Sequence, residues 1–104
     1  THHMIEAQAL STLRPHAVLV NIARGDVIDE AALIAALSAG QITGAGLDVY
    51  ENEPLVPQAL KDMQNVTLLP HMGTSTLEVR LDMGVMAVAN LTALANGHDL
   101  PNQV

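Results

Sequence analysis

Cysteine, phenylalanine and tryptophan are absent from this 104-residue sequence, and tyrosine occurs once, at Tyr50. Without cysteine there is no disulfide, no thiolate nucleophile and no thiolate metal site. With one aromatic, the core has to be assembled from Leu, Ile, Val, Ala and Met. Such a core is thin, because a domain of about 100 residues has little margin over chain entropy. Cations are scarce as well: 4 Lys+Arg stand against 11 Asp+Glu, for a net charge of −7. That excludes nucleic acid as a partner, since nothing here could neutralise a run of phosphates. No apolar run reaches the ~18 residues of a spanning helix. No charged segment followed by an apolar stretch opens the chain, so neither a membrane helix nor a signal peptide is expected. The missing cysteines fit a reducing cytoplasm. His2, His3, His16 and His98 are scattered and lack spacing such as H-E-x-x-H, so no metal is expected.

What is present is apolar: 49% of the residues, enough for a packed core rather than disorder. Residues 5–13 predict a short helix stopped by Pro15. The β-branched run Ala17–Ile22 predicts a strand buried on both faces. Asp29 is placed to cap a helix running to Leu37, with Leu33, Ile34 and Leu37 as its stripe and Gly40 beyond its end. Gly44–Val49 predicts a second strand, weakened by its glycines, followed by a loop punctuated by Pro54 and Pro57. Val66–Leu69 predicts a third strand, ended by Pro70. Ser75-Thr76-Leu77-Glu78 has the form of a capping box, opening a helix that runs to about Asn96 and stops at Gly97. Its apolar residues occupy more of its circumference than a helix covering one small sheet requires.

Buried strands alternating with helices predict an α/β fold with a parallel sheet and right-handed crossovers. Three strands make half of an ordinary doubly wound sheet, which leaves one edge exposed unless another chain covers it. In such sheets ligands bind beyond the carboxyl ends of the strands. Each strand here is followed there by polar groups: Asn21 and Arg24-Gly25; Asp48, Glu51 and Glu53; His71, Gly73, Thr74 and Ser75. Taken singly they have ordinary readings. Arg24 serves as a surface turn residue, Asp48 as a turn cap, Glu51 and Glu53 as solvated charge, and His71 as a partner for a backbone carbonyl. Taken together, a guanidinium, carboxylates and an imidazole along one rim point to a site for an anionic ligand.

Three stretches carry a resemblance: Val20-Asn21-Ile22-Ala23-Arg24-Gly25 with Val27-Ile28-Asp29-Glu30; Gly46-Leu47-Asp48-Val49-Tyr50-Glu51-Asn52-Glu53-Pro54; and Leu69-Pro70-His71-Met72-Gly73-Thr74. In this order and spacing the chain resembles the D-isomer-specific 2-hydroxyacid dehydrogenase family over essentially its whole length, the opening Thr1-His2-His3-Met4-Ile5 included. Pro70–Thr74, with Glu78 and Arg80, is most similar to the glyoxylate/hydroxypyruvate reductase branch. The family's G-x-G-x-x-G turn, the residue selecting NAD or NADP and the substrate-side domain have no counterpart in these residues. Gly44-Ala45-Gly46 lacks a third glycine and opens no helix. The resemblance therefore implies the second half of a Rossmann-type, three-layer NAD(P)-binding domain over residues 1–104. Glu6, where such helices often begin with Asn or Asp, is a poorer cap for the first helix.

The resemblance also implies roles. Arg24 would grip the carboxylate and keto oxygen of a small 2-keto acid with paired donors. His71 would be general acid in reduction and base in oxidation, and Glu53 would accept the other imidazole N–H and orient the ring. Asp48 would meet the nicotinamide carboxamide, with Ile22, Ala23, Arg24, His71 and Gly73 completing the NAD or NADP contacts. The parent would be a homo-oligomeric oxidoreductase. The alternative is that these residues alone form a non-catalytic interaction module that self-associates and binds no cofactor.

Overall fold

The computed structural model describes residues 1–104 and divides into two compact units, Thr1–Gly73 and Thr74–Val104. The first unit holds a three-stranded parallel sheet in the order β1 (Val18–Asn21), β2 (Gly44–Leu47), β3 (Val66–Leu68). Helix α1 (Ala7–Ser11) precedes it, and α2 (Glu30–Ser38) and α3 (Gln58–Asp62) connect its strands. Registry pairs Leu19 with Ala45 and Ala45 with Val66, then Asn21 with Leu47 and Leu47 with Leu68. Strand side chains alternate, so these six residues share one face. Onto that face pack Leu10 of α1, Leu33, Ala36 and Leu37 of α2 and Leu60 of α3, which with Tyr50 form the core.

The expectation that the first strand is buried on both faces is corrected. Val18, Val20 and Ile22 lie on the other face and are 61%, 67% and 72% exposed, because α1–α3 all pack on one side. The glycines of β2 follow the same parity. Gly44 and Gly46 stand on the bare face beside Val18 and Val20, so they subtract nothing from the core. Gly44 also sits where a Cβ would come within 2.6 Å of the Asn65 carbonyl oxygen.

Asp29 caps α2 as its sequence position predicts, with Oδ1 accepting the Ala32 N–H at 2.9 Å. At the far end Gly40, with φ of +65°, closes a Schellman motif in which Gly40 N–H bonds Leu37 O and Gln41 N–H bonds Ala36 O. Two local expectations are corrected. Residues 58–62, read as loop, form α3, a single turn too short for any periodic signal. Ser75 does not cap the last helix. Thr76 is the extended residue there, its Oγ1 accepting the Val79 N–H at 3.3 Å, so Glu78 falls one position short of the box.

The second unit is that helix, α4 (Leu77–Ala95), ended by Gly97 at φ +68° in a second Schellman motif. Asn90 and Asn102 exchange hydrogen bonds, tying the C-terminal residues to the helix. No helix is long and apolar enough to cross a membrane.

Candidate active site

The three strand exits build the site. After β1 the buried Asn21 side chain folds the chain over itself: Oδ1 accepts the Ala23 N–H at 3.1 Å and Nδ2 donates to the Arg24 carbonyl at 2.9 Å. This Asx-type turn presents Ile22, Ala23 and Arg24 to solvent. The Arg24 guanidinium donates through Nη1 to the Ala23 carbonyl at 2.6 Å. Gly25 follows, where a Cβ would overlap the Tyr50–Glu51 peptide.

After β2 comes Asp48, 3% exposed, whose two oxygens accept the Met72 and Gly73 N–H groups at 2.7 and 2.8 Å. The carboxylate thereby fixes the turn that follows β3. Five residues on, Glu53 turns back: Oε1 accepts the Tyr50 N–H at 3.0 Å and Oε2 accepts from His71 Nδ1 at 2.8 Å. An ionised carboxylate can only accept, so Nδ1 carries the proton and Nε2 is the nitrogen left for other chemistry. His71 itself has φ of +52°, in the left-handed region that non-glycine residues seldom occupy and that clusters at functional sites.

Arg24, Glu53 and His71 therefore converge. They line one open groove of about 640 Å³, together with Gly25, Asp26, Tyr50 and Glu51. A second cavity of about 420 Å³, lined by Pro54, Val56, Lys61, Leu68, Leu69 and Pro70, shares Tyr50, Glu53 and His71 as its wall. Of the remaining expected residues, Asp48 and Gly73 stand behind His71, while Ile22 and Ala23 lie at the end of β1 outside the groove's lining.

Hydrogen bonding to His71, then to the Tyr50 amide, with the positive charge of Arg24 adding to both, holds the Glu53 carboxyl below its ordinary value of 4.5. A carboxyl whose folded value is depressed contributes stability above its unfolded value and loses it as pH falls through the folded one. Unfolding midpoints in urea are therefore expected to drop on acidification below about pH 4.5, and Glu53→Gln is expected to flatten that drop. An acid limb identical in the two proteins would reject the coupling.

Three groups escaped the sequence reading. Glu30 is 8% exposed and its carboxyl is pushed up by burial; Oε2 accepts the Glu51 N–H at 3.4 Å. Glu51 in turn pairs with His3, whose imidazole is raised by that hydrogen bond. Tyr50, 7% exposed, places its hydroxyl 2.8 Å from the Leu69 carbonyl oxygen and 3.1 Å from that of Leu47, and burial pushes the phenol up. Being the sole aromatic, just beyond a strand end, was the available sign for Tyr50. Glu30 and His3 have no local one.

Residues 1–73 match the family described as D-isomer specific 2-hydroxyacid dehydrogenase, NAD binding domain. A glyoxylate/hydroxypyruvate reductase B of Pectobacterium carotovorum subsp. carotovorum is 50% identical over 105 residues, covering 100% of this chain and 33% of the relative. A glyoxylate reductase of Thermococcus litoralis is 46% identical over 104 residues, covering 100% of this chain and 31% of the relative. Among solved structures, the NADPH-dependent glyoxylate/hydroxypyruvate reductase of Sinorhizobium meliloti in complex with NADP and malonate superposes with a TM-score of 0.90. It is 45% identical, over 98% of this chain and 32% of that one. The chain thus spans about a third of the length of the curated relatives it matches.

Proposed function

The chain belongs to the D-isomer specific 2-hydroxyacid dehydrogenase family, within its NAD-binding domain, and from that premise we propose that it carries the proton-transfer and anion-gripping half of an NAD(P)-dependent reductase of small 2-keto acids such as glyoxylate and hydroxypyruvate. The observation that supports this most is the 2.8 Å His71–Glu53 pair on the wall of the groove that also holds Arg24. The test is NAD(P)H oxidation by the full-length protein with glyoxylate or hydroxypyruvate. Failure to oxidise either nucleotide with either acid would reject the reading.

The division of labour follows from the side chains. Arg24 lies on the groove with a guanidinium whose only hydrogen bond is to its own neighbour's carbonyl, an exposed contact that a carboxylate can replace. Its fork can hold a carboxylate and polarise the adjacent carbonyl at once. As imidazolium, His71 delivers its Nε2 proton to the developing alkoxide in reduction and is left neutral with its proton on Nδ1; in oxidation the neutral ring takes the hydroxyl proton at Nε2. Glu53 fixes the ring's tautomer and orientation from the other nitrogen. The exposed Ile22 side chain and the Ala23 backbone offer an apolar surface to a nicotinamide, while Asp48 and Gly73 hold the turn that carries His71. When bound, the dinucleotide supplies the hydride.

Arg24→Lys is expected to raise the Michaelis constant for the keto acid with less effect on that for the nucleotide, because an ammonium cannot make the two-pronged grip. An unchanged constant for the keto acid would reject the assignment.

A second reading applies to these 104 residues taken alone. The bare Val18–Val20–Ile22 face favours a module that self-associates and does not hold the dinucleotide. Calorimetric titration of NADH into this chain and into one extended upstream separates the readings. Binding by the extended form alone supports the module; tight binding by the short form overturns it.

A further inference from the structure

We propose that Tyr50 is a positioning residue for His71, acting through its phenolic hydroxyl on the segment that carries the imidazole; this rests on the reading of His71 and Glu53 as the proton-transfer pair. The hydroxyl sits astride the last rung between β2 and β3. There the Leu69 N–H donates to the Leu47 carbonyl at 2.8 Å, and the hydroxyl oxygen lies 2.8 Å from the Leu69 carbonyl oxygen and 3.1 Å from that of Leu47. It has one proton to donate, and the shorter contact is the one to Leu69. Two residues later the chain enters the left-handed conformation of His71.

The turn is held from its other side too, by the Asp48 carboxylate on the Met72 and Gly73 amides. His71 is thus gripped before and after by two side chains of the segment that follows β2, two residues apart. The Tyr50 N–H also anchors Glu53 Oε1, so both members of the pair hang from one residue. Tyr50→Phe removes the hydroxyl while keeping the buried ring and the backbone N–H. It therefore isolates the grip on the Leu69 carbonyl from packing and from the anchor on Glu53.

Positioning errors of the order of an ångström are costly in catalysis. In the full-length protein Tyr50→Phe is expected to lower kcat about 10-fold, to shift the pH at half-maximal kcat and to leave the Michaelis constant for NAD(P)H unchanged. If the hydroxyl acts through the imidazole, the same change in a His71→Ala background has no further effect on kcat. Equal loss in both backgrounds, or a wild-type kcat and pH profile for Tyr50→Phe, would overturn the proposal. Wild-type turnover by His71→Ala would instead remove the reading on which it rests, and the two failures are told apart by that single variant.

Discussion

Replacing His71 by alanine in the full-length protein is expected to lower turnover by about 10²–10⁴-fold, the usual size of acid–base assistance. The imidazole is held by Glu53 through Nδ1, and its backbone is locked between Tyr50 and Asp48. Nε2 is the one nitrogen of this ring available to a carbonyl oxygen in the Arg24 groove. Loss of the ring leaves Arg24 to grip the substrate, so the Michaelis constant for the keto acid is expected to change far less than kcat. Steady-state kinetics at saturating nucleotide give both numbers. A variant with undiminished kcat would take His71 out of the reaction and leave the dyad as a structural tie.

The second large effect is on stability. Gly25→Ala is expected to destabilise the full-length protein by about 3 kcal/mol or more, at the upper end of overpacking costs. The new Cβ would lie 1.9 Å from the Tyr50 carbonyl carbon, 2.0 Å from its oxygen and 2.5 Å from the Glu51 nitrogen. All three are backbone atoms that cannot swing aside as a side-chain tip would. The exits of β1 and β2 must separate, which moves Arg24 away from Glu53 and His71. A chemical-denaturation midpoint matching the wild type would show that the two loops are free to part, and that the narrow gap is not required.

The sequence and the structure agree where the cause is local. The Asp29 cap, the glycine stops at Gly40 and Gly97 and the three strands are each specified within a few residues, and each stands where those residues place it. The convergence of Arg24, Glu53 and His71 was legible for a different reason: parallel strands put their carboxyl ends on one rim whatever their register. What was not legible depends on partners distant in the chain. Burial of β1 could not be read from Val18 and Val20, because a β-branched run looks the same with one face covered or two. The tight seat of Gly25 needs the Tyr50–Glu51 backbone, 25 residues away, and Glu30 is buried by contacts its own helix does not contain. Ser75 and Thr76 can both cap a helix, and the choice between them lies in which one stands at the N-cap position, where Thr76 is extended.

A lone phenol beside the rim has an optical consequence. With no indole anywhere in these 104 residues, near-ultraviolet absorbance and intrinsic fluorescence of the chain arise from one chromophore, hydrogen-bonded beside the segments that carry Glu53 and His71. Spectroscopy of this segment needs no engineered label, because its native signal already reports on a single place.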